Sequence, residues 1–301
     1  MTATASATDP QAPLREFRGS RDFFIGIDSD GCAFDTMEVK HKECFIPQIV
    51  RSYGLAAISK FAREAAEFVN LYSTSRGVNR FPALTATMDL LQDRPEVRRR
   101  GFEVPPLRGL RAWIARETKL ANPTLEAEAD RTGDPDLRRA LEWSEAVNAT
   151  IREVVRDVPP FPSVRESLAA MRGRADVLVV SATPGEALRR EWHEHGLAGD
   201  VALIAGQEAG SKAEQLRLTS SGRYAPGRVL IVGDAPGDRK AAEAVGALFY
   251  PIEPGLEDES WARFLGEALP RFFAGTYAGA YMDERLARFE ALLPDTPPWS
   301  R

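Results

Sequence analysis

Three short runs, rich in β-branched residues and each closing on a polar side chain, constrain the fold more than any other feature of the chain. They are "FFIGID" (23–28), "DVLVVS" (176–181) and "RVLIVGD" (228–234). A strand that is apolar at consecutive positions is covered on both faces. "DVALIAG" (200–206) and "ALFYPI" (247–252) have the same character, more weakly. Helical patterns such as "SVRESLAAMRG" (163–173) and "DRKAAEAVGA" (238–247) lie between them. Strands alternating with helices predict an α/β fold built on a doubly wound parallel sheet.

One interval breaks the rhythm. From about Thr36 to Asp157 the periodicity is helical throughout. In "ISKFAREAAEFVNLY", Ile58, Phe61, Ala65, Phe68 and Tyr72 step by three and four into one apolar stripe. This predicts an all-helical cap domain over 37–157, inserted into a core made of 22–36 and 158–253. The remainder, 254–301, reads as C-terminal helices packed on the core, and the Ala-, Thr- and Ser-rich residues 1–21 as a disordered tail.

The formal net charge of −5 provides no basic field for nucleic acid and no cationic face for anionic lipid. No apolar run reaches the length of a bilayer span, and the first residues lack a signal-peptide apolar region. Cys32 and Cys44 have no metal or redox spacing. A cytoplasmic protein with a small-molecule partner is the expectation; the sequence carries no mark of its oligomeric state.

In open parallel sheets, ligands bind beyond the carboxyl ends of the strands. Asp28, Ser181 and Asp234 each stand at such an end, and Asp30 follows Asp28 by two residues. Gly31 then lets the backbone turn away. Alone, a strand followed by Asp-x-Asp-Gly is as readily a strand-ending turn as a site. Ser181 brings a hydroxyl able to donate to an anion. Ser211 and Glu214 form a capping-box pattern that puts Lys212 in a first helical turn, where ammonium and helix dipole together would hold a phosphate. Asp238 follows Asp234 by four residues, near a helix start, where acids often only cap. If Asp28, Asp30, Asp234 and Asp238 converge with Lys212, their charges sum to about −3, which a poorly solvated cleft does not tolerate. A proton, a divalent cation or both must offset it, and an all-oxygen donor set favours Mg²⁺.

"FFIGIDSDG", "VLVVSATP", Lys212 and "VLIVGDAPGD", in this order and spacing, resemble the four motifs of the haloacid dehalogenase-like hydrolase superfamily. "PPFPSVRESLAAM" (159–171) is similar to that family's lead-in to its second motif, and the helical insert resembles its C1 cap in position only. The resemblance implies a phosphatase in which Asp28 is the nucleophile, forming an aspartyl-phosphate, and Asp30 is the acid and then the base. Ser181 and Lys212 would stabilise the phosphoryl group. Asp28, the Asp30 carbonyl and Asp234 would hold Mg²⁺, supported by Asp238. Cys32 departs from the family's usual Thr and reads as a small buried residue. Asp30 sets the chain apart from the dehalogenase and phosphonatase branches, which lack a second aspartate. A phosphomutase uses the same aspartates, and an idle member would bind a phospholigand or a protein without turnover.

Two segments of the insert are candidates for reading the substrate. "MEVKHKECF" (37–45) carries Lys40, His41 and Lys42 just after the first motif, and "YSTSRGVNRFP" (72–82) carries Arg76, Asn79 and Arg80 around a glycine. Either could hold a leaving group's hydroxyls or a second anionic group, and either could equally be a solvated helix connection. His193 and His195 read as surface helix residues.

Overall fold

The structure, a computed structural model, describes residues 9–300. It divides into two compact units: the chain up to Asp35 with Asp157–Ala291, and Thr36–Arg156 with the stretch from Leu292.

The first unit holds a five-stranded, all-parallel sheet in the order β3-β2-β1-β4-β5. The strands are β1 (Phe23–Ile27), β2 (Ala175–Val180), β3 (Leu203–Ala205), β4 (Val229–Gly233) and β5 (Leu248–Pro251). Each coincides with one of the five apolar runs, β2 beginning one residue before its run, at Ala175. Ile25, Ile27, Val177, Val179, Leu230 and Val232 are fully or nearly fully buried in one cluster with Trp192, Trp261, Phe264 and Phe272. Covering both faces of the sheet accounts for the unbroken apolar character of the strands. Sheet order places β1 between β2 and β4, so the ends of these three strands lie side by side.

The second unit contains helices and, among its described residues, no strand. Its core gathers Phe61, Ala65, Phe81, Leu110, Trp113, Leu141 and Trp143. The helix Ser59–Leu71 turns Phe61, Ala65 and Phe68 inward, the spacing seen in the sequence. Among the described residues no helix is long and apolar enough to cross a membrane.

The chain's two ends depart from expectation. Of the tail expected to be disordered, residues 1–8 lie outside the described residues. From Asp9 onward the chain is placed: Ala12–Glu16 is a short helix, and Leu14 is buried against Ala205 and Ala209. One leucine docked on the sheet edge, with Gln11 Nε2 donating to Ala209 O at 3.1 Å, holds a segment whose composition alone suggested none. At the other end, the helices through Ala291 stay with the sheet, but the stretch from Leu292 belongs to the helical unit. There Trp299 packs edge-on against Phe68 and beneath the Arg94 guanidinium. A terminal tryptophan finds an apolar partner wherever one is exposed, and sequence periodicity carries no sign of which.

Candidate active site

The site grows from the loop after β1. The strand ends at Ile27, and the carbonyl of Ser29 accepts from the backbone N–H groups of Cys32 (3.3 Å), Ala33 (2.9 Å) and Phe34 (3.0 Å). Gly31 sits at φ +75° inside this tight turn, a conformation that disfavours a side chain. Two tryptophans from different helices pin the loop. Trp192 Nε1 donates to Ser29 Oγ (3.0 Å), and Trp261 Nε1 donates to the Cys32 carbonyl (2.7 Å). Cys32 is buried, and its thiol donates to the Val232 carbonyl of β4 at 3.6 Å. Burial, with Asp234 and Asp28 nearby, holds that thiol far above its usual range, so Cys32 stays a neutral packing group.

Lys212 is carried in by a helix that starts as the sequence predicts. Ser211 Oγ accepts from Glu214 N (3.3 Å), and Glu214 Oε2 accepts from Ser211 N (2.7 Å). One turn on, Gln215 Nε2 donates to the carbonyls of Ser181 (3.1 Å), Gly206 (2.9 Å) and Gly210 (3.0 Å). A single buried amide thus ties the ends of β2 and β3 to the loop that presents Lys212.

The Lys212 ammonium lies 2.8 Å from Asp28 Oδ2 and 2.5 Å from Asp238 Oδ1. Asp28, Asp234 and Asp238 are all buried, and each offers a carboxylate oxygen within 4.8 Å of the others'. Asp238 Oδ2 also accepts from Ala235 N (3.1 Å), so the capping role and the convergent role coincide. A Cβ on Gly233 would come within 2.5 Å of Asp238 Cβ, so this approach needs glycine there. Lys240, on the exposed face of the same helix, takes no part.

Three buried carboxylates against one ammonium leave an excess of two negative charges. Burial pushes Asp28 up to about 8; Lys212 opposes the rise, and Asp238 and Asp234 add to it. Burial on its own would lower Lys212, but Asp238 and Asp28 raise it well above the usual lysine range. Asp28 Oδ1 is buried and has no hydrogen-bond partner among the described residues. A hard divalent cation fits this set: it neutralises the excess charge and satisfies the orphaned oxygen.

Asp30 stands apart from the three. Its Oδ2 accepts a 2.6 Å hydrogen bond from Thr183 Oγ1, and its side chain is not part of the three-carboxylate cluster. Asp28 and Asp30 thus have different side-chain partners, Lys212 and Thr183. Ser181, buried at the end of β2, accepts from Thr183 N at 3.2 Å. Thr183 escaped the sequence reading, as did Gln215, Trp192 and Trp261; for Thr183 the available signal was its place two residues beyond Ser181 in "SATP".

The other candidates lie in the helical unit. Lys40 and His41 are half-buried on the π-helical turn Lys40–Phe45, with His41 stacked on Phe45 at 4.6 Å. Lys42 is engaged by Glu38 and by the Tyr72 hydroxyl. Arg76 is buried and donates to the Leu71 carbonyl (2.9 Å). Asn79 serves the helix instead: its Oδ1 caps Phe81 N (3.0 Å) and its Nδ2 donates to the Leu120 carbonyl (2.9 Å). Arg80 opens the helix Arg80–Asp93. His193 is exposed, while His195 is half-buried with its ring 5.5 Å from that of Phe34.

No family model matches the chain, and no curated protein does. Solved structures do match. A putative phosphoglycolate phosphatase from Lactobacillus delbrueckii subsp. bulgaricus is 14% identical, covering 86% of this chain and 100% of its own, with a TM-score of 0.48. A haloacid dehalogenase-superfamily hydrolase of subfamily IA from Geobacter sulfurreducens is 19% identical over 77% of this chain and 88% of its own, with a TM-score of 0.39. A putative beta-phosphoglucomutase from Thermotoga maritima is 14% identical over 76% and 84%, with a TM-score of 0.42. Likeness at this level leaves the chemistry to be read from the chain's own residues. In this chain the fold is the one that the resemblance to the haloacid dehalogenase-like superfamily implies, a parallel α/β sheet with an inserted helical unit.

Proposed function

We propose that the chain is a phosphatase of the haloacid dehalogenase-like type, acting on a small phosphorylated metabolite with Mg²⁺. The observation that carries this reading is the meeting of Lys212 with Asp28 and Asp238, with Asp234 in the same cluster. Asp28 is the nucleophile: its oxygen bonds to phosphorus as the bond from phosphorus to the leaving oxygen breaks. Asp30, oriented by Thr183, donates a proton to that leaving oxygen. It then takes a proton from the water that attacks phosphorus, which releases phosphate and restores the Asp28 carboxylate. Lys212 and the Ser181 hydroxyl hold the phosphoryl oxygens as charge moves across them. Asp28, Asp234, Asp238 and the Asp30 carbonyl would hold Mg²⁺, which when bound supplies the positive charge that lets a phosphate dianion approach the carboxylates.

The test is phosphate release over a panel of phosphorylated metabolites, with and without Mg²⁺, for the parent and Asp28→Asn. Release by the parent with Mg²⁺ alone, lost in Asp28→Asn, is expected. Equal release by both would refute the assignment of Asp28. Conversion of sugar phosphates to isomeric phosphates, with no free phosphate, would mark a mutase.

A further inference from the structure

The N-terminal arm that precedes β1 reaches the loop that presents Lys212. One end of the arm is moored at the start of β2. There the buried Asp176 carboxylate accepts from Ser20 N (2.8 Å), Ser20 Oγ (2.9 Å), Arg21 N (3.0 Å) and the Tyr224 hydroxyl (2.8 Å). The other end is the helix Ala12–Glu16, whose Leu14 packs with Ala205, Ala209, Leu203 and Leu218. Beside it, Gln11 Nε2 donates to the Ala209 carbonyl (3.1 Å), and Arg15 Nη1 donates to Gln11 Oε1 (2.9 Å), which fixes the direction of that amide.

Ala209 stands three residues before Lys212 and closes the turn Gln207–Ala209. The start of this turn is fastened to the loop after β2: Gln207 N donates to the Thr183 carbonyl (2.9 Å), and Glu208 Oε2 accepts from Gly185 N (3.0 Å). At its other end, toward Lys212, two side-chain amides meet the backbone. Gln215 takes the Gly210 carbonyl, and Gln11 takes that of Ala209. A Cβ on Gly210 would stand 3.2 Å from Gln11 Nε2, so arm and loop are closely packed. β3 is an edge strand, and Leu14 covers its end, but the directional contact of the arm falls on the turn beyond it. That turn sets where the Lys212 ammonium lies against Asp28 and Asp238. Misplacing such a group by about 1 Å costs up to about a hundredfold in rate.

We propose that Gln11 and Leu14 are positioning residues for Lys212, a role that rests on the phosphatase reading: the arm holds residues 207–211 so that the ammonium stays at Asp28 and Asp238.

The test uses the full chain with Leu14→Asp, which undocks the arm, and with Gln11→Glu, which keeps the shape of the side chain but cannot donate. Each is made in the parent and in Lys212→Met, and p-nitrophenyl phosphate hydrolysis is followed with Mg²⁺. In the parent background Leu14→Asp should lower kcat about tenfold or more and change KM by less than about twofold. In the Lys212→Met background the same substitution should cost less than about threefold, because the group it positions is gone. Gln11→Glu should show the same pattern more weakly, and decides the matter if Leu14→Asp fails to fold. Hydrogen exchange of the metal-free proteins supplies a readout without turnover: both variants should speed exchange in residues 207–214 and leave β1 and β4 as in the parent. Parent-like kcat in both variants, an equal loss with and without Lys212, or parent-like exchange across 207–214 would overturn the proposal. Hydrolysis by the parent that Asp28→Asn does not diminish would instead refute the phosphatase reading, and the exchange result then decides whether the arm holds the loop.

Discussion

Thr183 donates its hydroxyl to Asp30 Oδ2 over 2.6 Å, and this bond joins the loops after two strands through residues 153 positions apart in the chain. It fixes the acid proposed to serve the leaving group, whereas Lys212 fixes the acid proposed to attack. The two carboxylates of "DSD" are therefore held by different elements, and can be perturbed separately.

Thr183→Val removes the donor with little change of volume. Asp30 remains but loses its orientation, so kcat should fall by about tenfold while KM changes little. A fall confined to KM would place Thr183 in substrate binding instead.

Lys212→Met removes the only cation paired with Asp28 and Asp238 among the described residues. Breaking a buried pair of this kind costs about 3–5 kcal/mol, so the metal-free protein should show a clear drop in unfolding free energy. Activity should fall at least about a hundredfold. Mg²⁺ binding should persist, because the remaining carboxylates are less neutralised; loss of Mg²⁺ affinity would argue against the charge balance drawn here.

Gly233→Ala would bring a methyl group within 2.5 Å of Asp238 Cβ and Cγ. Either β4 or the Asp238 turn must move, at a cost of about 1–3 kcal/mol. Weaker Mg²⁺ binding together with a lowered Tm is the expected result, read by titration calorimetry and thermal unfolding. An unchanged metal affinity would remove Asp238 from the cation's shell.

The pH dependence of stability follows from Asp28, which burial raises to about 8 in the metal-free protein. The unfolded chain releases that proton near pH 4, so between about pH 4 and 8 the native state binds more protons than the unfolded one. Stability of the metal-free protein should therefore fall as pH rises through that window. Lys212, raised in its own range, stays charged throughout. Mg²⁺ displaces the proton, so binding at pH 7 should release close to one, measured calorimetrically in buffers of different ionisation enthalpy. Mg²⁺ uptake without proton release would contradict the account.

The strands were legible because burial on both faces leaves an unbroken apolar run, and all five runs became strands of one sheet. The capping box at Ser211 and Glu214 was legible because it is local. The partners that shape the site were not. Gln215 reaching three carbonyls, Trp261 reaching Cys32 and Thr183 reaching Asp30 are contacts across the fold, between residue types that serve elsewhere as ordinary helix, core and turn residues. Asp28 and Asp30 stand two positions apart, and their different partners, Lys212 and Thr183, come from distant parts of the chain. Asn79, one candidate in a polar loop that could equally be a helix connection, caps Phe81 N and donates to the Leu120 carbonyl, contacts that the loop's composition does not announce. The terminal segments were misjudged for one reason. Contacts distant in sequence hold both, through Leu14, Gln11 and Ser20 in one and Leu293, Asp295 and Trp299 in the other, and none of these stands out by periodicity.

The most direct test of the central claim is the covalent state of Asp28 during turnover. The protein is mixed with Mg²⁺ and an active phosphorylated substrate, quenched in acid within the first turnover, and analysed by peptide mass spectrometry. A phosphoryl group on the peptide containing Asp28, absent in Asp28→Asn and without Mg²⁺, is the predicted result. Full turnover with Asp28 unmodified at every quench time, and undiminished in Asp28→Asn, would contradict it.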